Sequence, residues 1–247
     1  MLRRNALFAA AAIAGTATIA TADVRVAHLS PNTPTVDVLA GLTGGDKGLL
    51  FDAASYPSVT DYLPVPTGNY DIDVVLDSDN SVVGIDVDNF PIDADTDYTI
   101  AAVGLLGGTP ALQPLPLIDD NHIDPNNARV RFVHASSNAP TVDIFVAGST
   151  DPLFDAVDQF TSGGYVTVPG GSYDLEVLLD ANPAAGSVLD VPGVTVEAGK
   201  VYTIYAIGLV GDTDTPLAAL VSVDAAIPEP ASLSALALGG LLLRRRR

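Results

Sequence analysis

The chain has 247 residues, with 30 acidic side chains against 11 basic ones, a formal net charge of −19, and neither cysteine nor tryptophan. A field of that sign repels nucleic acid and anionic membrane surfaces, which excludes nucleic-acid binding, and without cysteine there are no disulfides and no thiolate metal sites. With 48% hydrophobic residues, stability must rest on packed cores.

The first 22 residues combine Arg3 and Arg4, an apolar stretch from Ala6 onward, and the small-x-small triplet Ala20-Thr21-Ala22. That is the layout of a secretory signal peptide, a helix over residues 1–22 with cleavage expected between Ala22 and Asp23. Without that segment and the tail described below, 29 acids face only five bases, Arg25, Lys47, Arg129, Arg131 and Lys200, for a net charge near −24.

An internal duplication dominates the body. Val24–Val38 (VRVAHLSPNTPTVDV) matches Val130–Ile144 (VRFVHASSNAPTVDI) at 9 of 15 positions, and Val65–Asp77 matches Val168–Asp180 at 8 of 13. The offset falls from 106 to 103 residues because copy one carries a longer glycine-rich stretch, Gly41–Leu50 (GLTGGDKGLL), where a loop absorbs the difference. The segments are therefore residues 23–118 for copy one, 119–128 (polar, without periodicity) as a linker, 129–226 for copy two, and 227–247 as a tail. Each copy is read as able to fold by itself.

Both copies read as strands. Tyr70, Ile72, Val74 and Leu76 alternate with Asp71 and Asp73, and Tyr173, Leu175, Val177 and Leu179 alternate with Asp174 and Glu176, the period of a half-buried strand. Tyr98–Leu106 and Tyr202–Val210 are apolar on both faces, as central strands are. In the preceding turns, Val-Pro-x-Gly-x-Tyr, proline and glycine make the bend, and Tyr70 and Tyr173 open the next strand with a hydroxyl available to the backbone, as in tyrosine corners. The expectation is an all-β chain of two tandem antiparallel β-sandwich domains, immunoglobulin/transthyretin-like, flanked by the N-terminal signal helix and a short C-terminal apolar helix.

Candidate chemistry is sparse. His28, Ser30 and Asp37, repeated as His134, Ser136 and Asp143, have the residue types of a nucleophilic triad and support a secreted hydrolase as the alternative function. On a regular strand, however, His28 and Ser30 stand about 7 Å apart. The simpler reading is structural, a histidine and an aspartate bonding across the first two strands to fix a turn. Asp93, Asp95 and Asp97 in one turn, and Asp77, Asp79 and Asn80 in another, gather hard oxygen ligands in copy one, which makes calcium the single candidate ion against the plainer reading of a solvated acidic surface; no other cofactor is expected.

The His-Ala-Ser then Ala-Pro-x-Val-Asp-Ile pattern of His134–Ile144, its copy at His28–Val38, the Val-Pro-x-Gly-x-Tyr turn and the late Tyr-Thr-Ile strand together resemble domain-of-unknown-function family 4397 (DUF4397). The resemblance implies a β-sandwich module of secreted or surface proteins, without catalytic residues to carry over. The tail combines Pro228, Glu229 and Pro230, a 13-residue apolar run that would reach roughly 20 Å as a helix against a hydrocarbon core of about 30 Å, and Arg244, Arg245, Arg246 and Arg247. It resembles the PEP-CTERM sorting signal of Gram-negative bacteria. That resemblance implies an exosortase-type sorting enzyme as partner, transient membrane contact, removal of the tail, and delivery to the cell surface or an exopolysaccharide matrix. The function expected is that of an exported, non-enzymatic surface or matrix protein, with polysaccharide or surface proteins as further partners.

Overall fold

A computed structural model describes residues 20–227. Residues 1–19 of the expected N-terminal helix, the expected C-terminal helix, Pro228–Pro230 and Arg244–Arg247 lie outside the described residues, and Thr21 and Ala22, expected to end the N-terminal helix, are strand. Copy one supplies β1 (Thr21–His28), β2 (Val36–Leu42), β3 (Gly48–Ala54), β4 (Ser58–Val59), β5 (Leu63–Pro66), β6 (Gly68–Leu76), β7 (Asp79–Ile92), β8 (Asp97–Val103) and β9 (Gln113–Asp119). Copy two repeats the order with β10 (Ala128–His134), β11 (Val142–Val146), β12 (Phe154–Val157), β13 (Ser162–Val168), β14 (Gly171–Leu179), β15 (Ser187–Val196), β16 (Lys200–Ile207) and β17 (Ala218–Ala226). Among the described residues the fold is all-β apart from one 3-10 turn at Pro183–Ala185.

Each copy forms two sheets. The outer ones, β3-β2-β6-β7 and β12-β11-β14-β15, are antiparallel throughout. The inner ones, β4-β1-β8-β9 with β5 also on β1, and β13-β10-β16-β17, depart from the expected antiparallel pairing at one ladder each: β1 runs parallel to β8, and β10 to β16. The reason is topological. The first strand of each copy must return beside the late central strand, and the intervening strands place both with the same direction.

Side-chain alternation explains the layering. Val24 and Val26 of β1, Val38 of β2, Ile72 and Val74 of β6 and Tyr98 of β8 point into the core between the two sheets of copy one, and their counterparts Val130, Phe132, Ile144, Leu175, Val177 and Tyr202 do so in copy two. The other faces of β1, β8, β10 and β16 carry Ala27, Ala101, Val103, Val133, Tyr205 and Ile207, which pack against one another in a third core drawn from both copies. The inner sheets are thus covered on both sides, which is why Tyr98–Val103 and Tyr202–Ile207 are apolar on both faces except at Thr99 and Thr203. A copy taken alone would leave that third face uncovered, so the two copies form one unit rather than the independent domains expected from the repeat.

Two expected boundaries move. Asp119 closes β9 and Ala128 opens β10, so the linker is shorter at both ends, and both residues are buried. At the N-terminus the strand begins at Thr21: Ala22 is buried, pairs with Val65, and corresponds to core residue Ala128. Cleavage between Ala22 and Asp23 would cut through β1. Among the described residues no helix is long and apolar enough to cross a membrane.

Candidate functional site

The His-x-Ser-x-Asn stretch after β1 and after β10 holds the same posts in both copies. His28 Nε2 donates to Pro34 O at 3.0 Å, and His134 Nε2 to Pro140 O at 2.9 Å. A carbonyl only accepts, so each ring is the Nε2–H tautomer, and each Nδ1 is buried without a partner. Burial holds both histidines below the ordinary 6.5 and therefore neutral near pH 7. The serines turn elsewhere: Ser30 Oγ donates to Gly104 O at 2.7 Å and Ser136 Oγ to Gly208 O at 2.8 Å. Asn32 and Asn138 each exchange two hydrogen bonds with the backbone of Leu106 and Val210. The receiving glycines are required, since Gly104 and Gly208 sit at φ +88° and +82°, and a Cβ would come within 2.2 Å of Ala111 O and 2.1 Å of Pro216 O.

The aspartates complete neither a triad nor the expected bond to histidine. Asp37 Oδ1 accepts from Ala53 N at 2.9 Å and Asp143 Oδ1 from Ala156 N at 2.8 Å. These two alanines have φ of 49° and 48°, a conformation costly for a residue with a Cβ, and the buried carboxylate holds it. Tyr70 and Tyr173 donate their hydroxyls to Pro66 O and Pro169 O, both at 2.8 Å, across the turn that each follows. Histidine, serine and aspartate thus address separate backbone groups, with no histidine–serine hydrogen bond that could activate a nucleophile.

Acid clustering differs from the sequence expectation. Among the described residues, the carboxylates that converge are Asp37, Asp52 and Asp77 in copy one and Asp143, Asp155 and Asp180 in copy two, each group with one oxygen per residue within 4.8 Å of the others. Asp93, Asp95 and Asp97 form no such group; Asp97 accepts from Asn121 at 2.7 Å instead. Closeness in sequence within a turn does not bring side chains to one point, whereas β2, β3 and the end of β6 are hydrogen-bonded neighbours. The signal was present: all three positions are aspartate in both copies, while the Asp93 cluster has no counterpart. Each group offers hard oxygen ligands, with three of the six to eight positions that calcium fills.

Sequence reasoning missed the charged network between the copies. Arg25 of β1 donates to Asp224 of β17 at 2.6 Å, and Arg131 of β10 donates to Asp119 of β9 at 2.6 Å, so each copy lends its arginine to the other copy's aspartate. Each arginine also donates through Nε to the threonine beside it, Thr99 or Thr203, and each threonine donates to its own copy's aspartate. All six side chains are buried. Burial works against the arginine charges, but the carboxylates of Asp224 beside Arg25 and Asp119 beside Arg131 outweigh it, and both pKa values are raised. Arg25 lies 4.5 Å from the Tyr62 ring centroid and Arg131 lies 4.9 Å from that of its counterpart, Tyr165. The arrangement is the reciprocal contact of a two-fold interface written into one chain. Its symmetry is broken at Tyr205, fully buried beside both arginines, where copy one has Ala101.

No curated protein matches the chain. Among solved structures, the TIE protein of Bacillus anthracis is similar at 9% identity and a TM-score of 0.24, with 76% of this chain covered. The chain spans about a third of that protein's length, 34%. The tip fimbrial protein Mfa3 of Porphyromonas gingivalis is similar at 10% identity and a TM-score of 0.25, over 83% of this chain and 99% of that one. The family model described as "Domain of unknown function (DUF4397)" matches residues 22–145 and again 134–238, and with both copies of the repeat accounted for, the protein belongs to the DUF4397 family.

Proposed function

We propose that the protein is an exported, non-enzymatic component of the cell surface or of an exopolysaccharide matrix, in which two sandwich modules of immunoglobulin/transthyretin-like type act as one rigid acidic block. The observation that carries this reading is the use made of the residues best suited to catalysis. In both copies histidine, serine and aspartate are spent on backbone carbonyls and amides that fix the loops. The hydrolase alternative requires histidine and serine in contact at the floor of a cleft.

The terminal segments supply the address. In this reading Pro228-Glu229-Pro230 and Arg244–Arg247 are recognised by an exosortase-type enzyme during transient membrane contact. Polysaccharide or neighbouring surface proteins are then the partners met by the loops. The test is the intact mass of protein extracted from the cell surface. Loss of residues 241–247 together with the N-terminal segment is expected, and a full-length chain recovered from the cytoplasm would refute export.

A further inference from the structure

The copies share a frame but fill it differently. Between the two sheets of copy one lies a cavity of about 110 Å³, against about 20 Å³ at the matching place in copy two. Three substitutions work in that direction, against Phe90 of copy one, which lines the cavity where copy two has the smaller Val194. Copy two places Phe132, Ile144 and Val146 where copy one has Val26, Val38 and Ala40, as the ladder partners show: Val26 and Phe132 face Ile100 and Ile204, and Ala40 and Val146 face Ile72 and Leu175. Phe132 packs on Phe154 with ring centroids 5.9 Å apart, whereas the counterpart Phe51 looks onto the void.

The void is apolar. Its one tyrosine, Tyr70, directs its hydroxyl to Pro66 O, so a water inside would lack the two to four polar partners that hold buried water. A dry apolar cavity of about 150 Å³ takes up benzene or xenon, and this one is somewhat smaller. It is partly open to solvent, and Pro116 of edge strand β9, exposed on one side and part of the wall on the other, marks its thinnest-covered flank.

We propose that the core of copy one is a binding site for a small apolar group, a short alkyl chain or a single ring, which enters beside β9 and leaves any polar end in water at the mouth. Copy two, closed by Phe132, is not such a site. The site lies away from the loops and terminal segments on which the proposed function rests, and neither reading depends on the other.

Methyl NMR of the whole protein under xenon pressure, and in a benzene titration, tests this. Shift changes confined to Val24, Ile72 and Ile100, with Val130, Leu175 and Ile204 unmoved, are expected, together with a melting temperature that rises with benzene. Val26→Phe should abolish both effects. Should that variant fail to fold, Ala40→Val, the smaller filling, should weaken them at least several-fold. Absence of the shifts, equal shifts in the two copies, or a benzene response unchanged in a folded filling variant overturns the proposal.

Discussion

Copy one and copy two share a recurring set of side chains that anchor the backbone and differ at several positions where a volume is filled. The Arg/Thr/Asp exchange, the His-Pro, Ser-Gly and Asn-loop bonds and the Asp-Ala contact recur in both. Val26 against Phe132 and Ala101 against Tyr205 do not. Repetition here identifies the frame, and divergence identifies where each copy has its own geometry: a hollow core in the first, and an aromatic ring inserted between the arginines in the second.

The largest effect is expected from the frame. Asp224→Ala leaves Arg25 buried without its close partner and should cost about 3–5 kcal/mol in chemical denaturation, and Asp119→Ala should do the same to Arg131. Near-equal costs support the reciprocal interface; a cost below about 1 kcal/mol for either would break it. The next effect is expected from the divergent cores. Phe132→Val should open copy two and cost about 2–3 kcal/mol, while Val26→Phe should gain about 0.5–2 kcal/mol by filling the cavity of copy one. Equal and small effects from both changes would remove the contrast in filling.

A smaller effect comes from the histidines that the copies share. Burial lowers both folded pKa values, so as pH falls below about 6.5 the unfolded chain takes up protons that the folded chain refuses. Stability is therefore full above that value and declines as pH drops through it toward the folded pKa values. A melting temperature independent of pH between 7.5 and 5.5 would show that the two rings are not held neutral. The smallest effect is expected at Asp93, Asp95 and Asp97, which converge on no point. Replacing all three with asparagine should leave calcium's effect on the melting temperature, measured against sodium chloride of equal ionic strength, unchanged.

Much of the frame was legible because it is periodic. The Tyr-led alternation of β6 and β14 marks half-buried strands, and β8 and β16, apolar on both faces over most of their length, read as central. What buries their second face was not legible. Arg25 and Arg131 stand opposite Val24, Val26, Val130 and Phe132, where period two predicts solvent, and only the docking of one copy on the other turns that face inward. The network could still have been suspected, since two of the five bases in the body fall at matched positions of the repeat. Of the converging aspartates only Asp77 stands in a turn that the sequence marks as acidic; the groups escaped because their members come from separate segments of each copy, and the cavity escaped because missing volume leaves no pattern within one copy. Aligning Val26 with Phe132 is what exposes it.

The central claim is that a shared layer of buried charge and apolar side chains makes the two copies one folding unit. Equilibrium denaturation of the body, followed at once by tyrosine fluorescence and by methyl signals assigned to each copy, tests it most directly. A single coincident transition for Val24, Ile72, Val130 and Leu175 is the result predicted. Two separated transitions, one for each copy, would contradict it.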